Sequence, residues 1–241
     1  MTQAALAARR PRRYRCAMAT SGPIFLPMSH DLPRRCRAIA TSTWSDALDR
    51  LSLPGVIEGL TLRSGAGAIA GPALTVREAA GALGSHPVHA FTPGTFLDAV
   101  QPGAVLVIDL GGAAVSSCGG LVALAAVQRG AVGLVIDGGC RDIADVRAAG
   151  LWVSSRHVTP TSGRGRASVE AIGVPVTIGG VRVAAGDYIV GDETGVVCLP
   201  AARLEELLPI ADALSRKDDE FANALREGHT FAAAAKRLSH I

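Results

Sequence analysis

The segment "LVIDGGCRDIADV", residues 134–146, decides how the chain folds. An apolar run ends in Asp137 and two glycines, and a helical spacing begins where Arg141 and Asp142 stand side by side. A short apolar run closed by glycines predicts a buried strand, a turn and then a helix. Upstream lie a strand, "AVLVID" (104–109), the helix-patterned "GLVALAAVQRG" (120–130) and a second strand, "VGLVID" (132–137); downstream a helix over 142–149 leads into the strand "LWVSS". This βαβαβ order predicts a mostly parallel sheet with crossover helices.

Further out the pattern changes. "ATSTWSDALDRL" is helical, with Trp44, Ala47, Leu48 and Leu51 on one face and Pro54-Gly55 as its stop, and "GAIAGPALTVRE" is a strand with a turn-prone glycine and proline inside it. "VPVTIGGVRV" is a hairpin around Gly179-Gly180, and "GDYIVGDETGVVCLP" gives two more strands, both antiparallel cues. A helical stretch from Ala201 to about Gly228 closes the chain, with a kink expected at Pro209 and an apolar stripe of Leu204, Leu207, Leu208, Ala211 and Leu214. The fold class expected is α/β: a parallel βαβ core with an added antiparallel β layer.

Composition narrows the function classes. The 241 residues are 49% hydrophobic but only 4% aromatic, so the core is built from Val, Leu, Ile and Ala, as suits strands covered on both faces. Residues 1–37 hold eight arginines against the single acid Asp31, so the overall +3 hides a body, residues 38–241, at −4. That body offers no electrostatic footprint for nucleic acid. The arm, 1–37, with four prolines and no apolar periodicity, is expected to be a disordered basic extension, and 38–241 a single domain. Five widely spaced cysteines without a C-x-x-C indicate neither a disulfide framework nor a zinc site and suit a reducing cytoplasm. The uncharged run 110–128 is broken by glycines and serines, so no membrane span is expected.

Two glycine-rich loops, "DLGGAAVSSCGGLV" and "DGGCRDIADV", each precede a helix and follow consecutive strands, so both open at the carboxyl edge of the sheet, where ligands bind in open α/β folds. Helix N-termini there present unpaired N–H groups to a carboxylate or phosphate. Neither loop matches a nucleotide-binding fingerprint. Asp142, with Asp145 three residues on, first suggests a helix cap. Arg147 is outside the helical pairing distances from Asp142. Arg141 opposes the helix dipole, and a ligand anion would justify it. His86, His89 and His157 are expected to be solvated, Asp109, Asp137, Asp187 and Asp192 to form turns, and Cys118 and Cys140 to pack as small residues.

"GGLVALAAVQRGAVGLVIDGGCRDIADVRAAG", with "PGAVLVID" before it and "GDYIVGDETGVVCLP" after, resembles the family of 4-hydroxy-4-methyl-2-oxoglutarate aldolases and the regulator of ribonuclease activity A. The resemblance implies an α/β/β/α swivelling-domain fold, assembled as a homotrimer or hexamer with sites between subunits. It further implies Mg²⁺, or Mn²⁺, held by Asp142 largely through waters. Arg141 would bind the ketone and carboxylate side of pyruvate, and the backbone amides of Gly119, Gly120, Leu121 and Val122 would cradle its carboxylate. Where active aldolases of this kind carry an acid, this chain has Gly120. A further acid would come from a neighbouring subunit's C-terminal helix, for which Asp218, Asp219 and Glu220 are the candidates. The expected activity is a metal-dependent lyase cleaving a short 2-keto acid through a pyruvate enolate, as an aldolase or an oxaloacetate decarboxylase. The alternative is a non-catalytic trimer that binds a protein partner.

Overall fold

The computed structural model describes Ala17–Met18 and residues 31–238. The first half runs β1 (Ala17–Met18), α1 (Leu32–Ala38), α2 (Thr41–Arg50), β2 (Val56–Ile57), β3 (Thr61–Ser64), β4 (Ile69–Ala80), α3 (Pro93–Asp98), β5 (Val105–Asp109), β6 (Ser116–Cys118) and α4 (Gly120–Gln128). The second runs β7 (Gly133–Cys140), α5 (Ile143–Ala149), β8 (Trp152–Val158), β9 (Ala167–Ile172), β10 (Val176–Ile178), β11 (Val181–Val183), β12 (Tyr188–Gly191), β13 (Val196–Leu199), α6 (Leu204–Arg226) and α7 (Phe231–Leu238).

Most strands join one mixed sheet in the order β2-β13-β12-β4-β5-β7-β8-β3. Its middle, β4-β5-β7-β8, is parallel, as the βαβαβ pattern requires, and β12 and β13 add the antiparallel part. β4 belongs to both: Ile69 to Pro72 pair with β12 and Ala73 to Arg77 with β5, so the sheet curls along this one strand. Gly71 permits the curl, because a Cβ there would run into the carbonyl oxygen of Gly103. β10 and β11 form a separate hairpin whose turn glycines, 179 and 180, both have positive φ (50° and 84°), as a primed two-residue turn demands.

Alternation along the central strands divides the core into layers. Leu106, Ile108, Leu134 and Ile136 face the cluster under α3, α4 and α5, while Val105, Val107 and Val135 face inward to meet Ile189, Val196 and the hairpin residues Val176 and Ile178. On the far side, Tyr188, Val190, Val197 and Leu199 pack beneath α1, α2 and α6. Helix, sheet, sheet, helix is thus the arrangement, with the apolar valine layer enclosed by the curl.

Three sequence expectations need amendment. The boundary placed at residue 38 falls at the end of α1, whose Leu32 and Cys36 are buried against α2; the Trp44 indole also donates to the Cys36 carbonyl at 3.2 Å. The rest of the arm, β1 apart, lies outside the described residues. α6 spans Leu204–Arg226 with Pro209 inside it, and its buried stripe of Leu207, Ala211 and Leu214 runs past the proline. Two elements were not foreseen: α7, and β6 within the first glycine loop.

Candidate active site

β5 and β7 pair in parallel as far as Asp109 and Asp137, and β7 runs on to Cys140, so the chains leaving them meet at one edge. β6 closes the gap. Ser116 and Cys118 pair with Gly139 and Cys140 of β7, and the Arg141 amide donates to the Cys118 carbonyl at 2.9 Å. This sets the start of α4 beside the start of α5. Gly119 makes the approach feasible: a Cβ on it would sit 2.5 Å from Asp142 Oδ2 and 3.2 Å from Arg141 Cγ and Nε.

Asp142 is in the left-handed region (φ 53°, ψ 44°), where only one other described non-glycine residue, Ser52, has positive φ. A capping residue normally holds extended backbone and accepts from the second or third helical amide. Asp142 stands at the N-cap of α5 and makes no side-chain cap bond, so the capping reading fails. Nor do the two charges brace each other closely, since Arg141 Nε is 3.4 Å from Asp142 Oδ2 with both side chains more than 40% exposed. A strained backbone holding an under-bonded carboxylate beside an under-bonded guanidinium is a common mark of a ligand site. Opposite them α4 begins at Gly120, with Gly119 as its N-cap and no side-chain cap, leaving the first-turn amides without intrahelical acceptors.

Gly119, Leu121, Val122, Arg141 and Asp142, all expected site residues, border a single cleft of about 220 Å³. Ser117 and Cys118 also line it, as do Phe91 and Arg164. Sequence reading missed Arg164: it lies in the aperiodic "TSGRGR" loop, where nothing but charge marks it. Gly120 opens instead on an adjoining depression of about 370 Å³ shared with Leu121, Asp142 and Asp145. A Cβ on Gly120 would lie 2.5 Å from the Asp145 Cβ and 3.3 Å from its Oδ2. The acid missing at position 120 therefore has a neighbour, for Asp145 fills the space where that side chain would go. The signal was available in sequence, since Asp145 is one turn beyond Asp142, but it had been assigned to a capping box.

Asp218, Asp219 and Glu220 lie on exposed α6 and do not line this cleft; Asp218 accepts from the Thr43 hydroxyl at 3.4 Å. Asp109 and Asp187 bond turn amides as expected, and His157 Nε2 lies 3.0 Å from the Gly112 carbonyl. Asp137 is no turn former. It is buried, 2.5 Å from Arg156 Nε, and accepts from the Gly179 amide. Cys118 and Cys140 are buried neighbours, and their hydrogen bond, with burial, pushes the Cys118 thiol well up, which keeps it protonated.

Among the described residues no three His, Cys, Asp or Glu side chains gather as a metal cage. Magnesium does not require one, because it retains waters and takes one or two carboxylates. The uncapped Asp142 carboxylate, with Asp145 beside it, suits that hard-oxygen chemistry. Among the described helices none is long and apolar enough to cross a membrane.

A family profile described as RraA-like, aldolase/RraA, matches residues 41–198. A protein of Halalkalibacterium halodurans provisionally named 4-hydroxy-4-methyl-2-oxoglutarate aldolase is 30% identical over 82% of this chain and 90% of its own. Among solved structures, an uncharacterised protein of Pseudomonas syringae superposes with a TM-score of 0.79 at 28% identity, covering 88% of this chain and 96% of that one. Streptomyces coelicolor RraAS2, described as an unusual member of the RNase ES inhibitor family, superposes with a TM-score of 0.70 at 26% identity over 84% of this chain and 98% of its own.

Proposed function

The chain belongs to the RraA-like family, and from that premise we propose that it is a divalent-metal-dependent lyase that cleaves a short 2-keto acid with a second carboxylate. The observation that carries this reading is Asp142, an uncapped carboxylate held in left-handed backbone beside Arg141 at a cleft mouth. Asp142 is the residue that would hold Mg²⁺ or Mn²⁺, with Asp145 beside it. When bound, the cation supplies positive charge where negative charge develops on the substrate's ketone oxygen.

The chain's own residues supply the remainder. The backbone amides at the start of α4, Gly119 to Val122, receive the 2-keto acid's carboxylate, and the planar Arg141 fork spans ketone and carboxylate oxygens. For 4-hydroxy-4-methyl-2-oxoglutarate, Asp145 takes the proton of the C4 hydroxyl. The C3–C4 bond then breaks, its electron pair passing into a pyruvate enolate and C4 leaving as the ketone of a second pyruvate. Protonation of the enolate at C3 completes the reaction. Arg164, a second cation on the same cleft, is matched to the distal carboxylate. With oxaloacetate the same electron sink serves loss of CO₂ and no hydroxyl proton need be removed.

The site is shared in this reading. α4 is apolar nearly all round and leaves Leu121, Leu124 and Val127 exposed at helical spacing, with Leu121 84% exposed, which supports a second copy of the chain covering this face. A closed homotrimer, or a pair of them, brings a neighbour's C-terminal helix with Asp218, Asp219 or Glu220 to the cleft. The test is release of pyruvate from 4-hydroxy-4-methyl-2-oxoglutarate and from oxaloacetate, with and without Mg²⁺; no metal-dependent turnover of either would refute it.

A further inference from the structure

Behind the cleft lies a carboxyl group that none of this chemistry uses. Glu78 extends from β4 on the same side as Leu74 and Val76, toward the core beneath α4, and is 5% exposed. Neither of its oxygens has a hydrogen-bond partner. The Ser117 hydroxyl, on β6, is equally buried and equally unpartnered, and Ser117 lines the cleft. Ser117 Oγ in the wall of the cleft and the two Glu78 oxygens in the core are three buried polar atoms left unmatched, which is costly and calls for an account.

Burial pushes the Glu78 carboxyl up to about 7, and the Ser117 hydroxyl is the neighbour that opposes the rise. Cys118 of β6 is the titratable side chain that senses Glu78 in turn. β9 presents Val169 and Ser168 opposite this part of β4, and β5 ends beside Arg77 with Asp109, whose carboxylate is engaged by the Gly111 and Thr177 amides. The charged groups of the cleft that Ser117 lines are Arg141, Asp142 and Arg164.

A hydroxyl can donate and accept at once, whereas a neutral carboxyl has one proton to give and a carboxylate has none. We propose that Glu78 is a positioning residue for the cleft: as the neutral acid it donates to the Ser117 oxygen and so directs the Ser117 proton toward an oxyanion bound there. Ionised, Glu78 instead accepts a hydrogen bond from the Ser117 hydroxyl, and the cleft loses a donor while gaining a negative charge behind its wall. Carboxylate and enolate ligands accordingly bind best below the titration of Glu78. This rests on the reading of the cleft as a 2-keto acid site.

The probe is oxalate, a planar dianion shaped like the enolate of pyruvate, titrated calorimetrically into the full chain with Mg²⁺ from about pH 5.5 to about pH 8.5, a range over which oxalate itself does not ionise. In wild type the Kd is expected to rise roughly ten- to a hundred-fold across that range, the loss of one donor to a charged ligand. Glu78→Gln, whose amide donates at every pH, is expected to bind with a flat profile near the low-pH wild-type affinity. Ser117→Ala should bind weakly at every pH, with a shallower pH dependence than wild type, since only the charge on Glu78 then remains to be felt. A binding-independent check is the infrared carbonyl band of a protonated carboxyl near pH 6, present in wild type and missing in Glu78→Gln; the same spectrum for both would overturn the proposal. Oxalate binding with one pH dependence in wild type and Glu78→Gln overturns this inference alone. No oxalate binding at any pH overturns the 2-keto acid reading and this inference with it.

Discussion

Two arginine–aspartate pairs have their aspartates five residues apart along β7 and its exit, and they are built in opposite ways. Asp137 and Arg156 meet at 2.5 Å, the carboxylate is nearly buried, and its second oxygen takes the Gly179 amide. Asp142 and Arg141 are 3.4 Å apart and half exposed, with no cap bond and a left-handed backbone. The first pair spends its hydrogen-bonding capacity inside the fold and ties β7, β8 and the β10–β11 turn together. The second keeps its capacity for something outside. An ion pair's degree of internal satisfaction, more than its residue types, separates a brace from a site.

Removing one partner from each pair should separate them most sharply. Asp137→Ala leaves Arg156 without its counter-charge, and the expected loss is about 3–5 kcal/mol of unfolding free energy in denaturant titration. If stability falls by less than about 1 kcal/mol, Asp137 is no brace and the contrast collapses. Arg141→Lys should instead leave stability within about 0.5 kcal/mol of wild type while lowering kcat some 10²–10³-fold, because an ammonium cannot span two oxygens. A raised KM with normal kcat would reduce Arg141 to a binding group.

Glu78 sharpens the comparison as a buried carboxyl with no charged partner. Its folded-state pKa, about 7, is raised, so its contribution to stability is full at low pH and is lost as pH rises from the ordinary carboxylate range through about 7. Wild type should therefore lose roughly 3 kcal/mol between pH 5 and pH 8 at this site, a loss that Glu78→Gln escapes. Parallel stability curves for the two proteins would show Glu78 to be ionised in the fold. The smallest expected effect is at Arg164, where Ala should raise KM for the dicarboxylic aldol substrate by about tenfold, the worth of one exposed charge-assisted contact, with kcat unchanged. An unaltered KM would remove Arg164 from substrate binding.

The parallel core was legible in sequence because Val, Leu and Ile runs alternate with helix-patterned segments, and the Gly179-Gly180 hairpin because a two-residue turn demands that chemistry. β6 was hidden, since "SSC" carries no β-branched or apolar alternation and is a strand only through pairing with β7. Arg141, Asp142 and the Gly119 turn could be placed because local order sets them. Asp145, Arg164 and Glu78 could not, because each acts across space: Asp145 through the emptiness of Gly120, Arg164 through the return of a loop, and Glu78 through the neighbouring Ser117 hydroxyl. The capping reading of Asp142 failed for a related reason, as sequence shows a residue type at a helix start but not its φ.

The central claim is that Asp142 serves a ligand and not the fold, and Asn tests it well because it tolerates left-handed backbone and keeps the side chain's shape. The measurement is Mg²⁺-dependent pyruvate release from 4-hydroxy-4-methyl-2-oxoglutarate by wild type and Asp142→Asn, with thermal unfolding recorded on both. The account predicts that wild type turns over only with metal, that the variant loses this activity by at least ~10²-fold, and that the two unfold alike. Turnover preserved in Asp142→Asn, or lost only together with the fold, would contradict it.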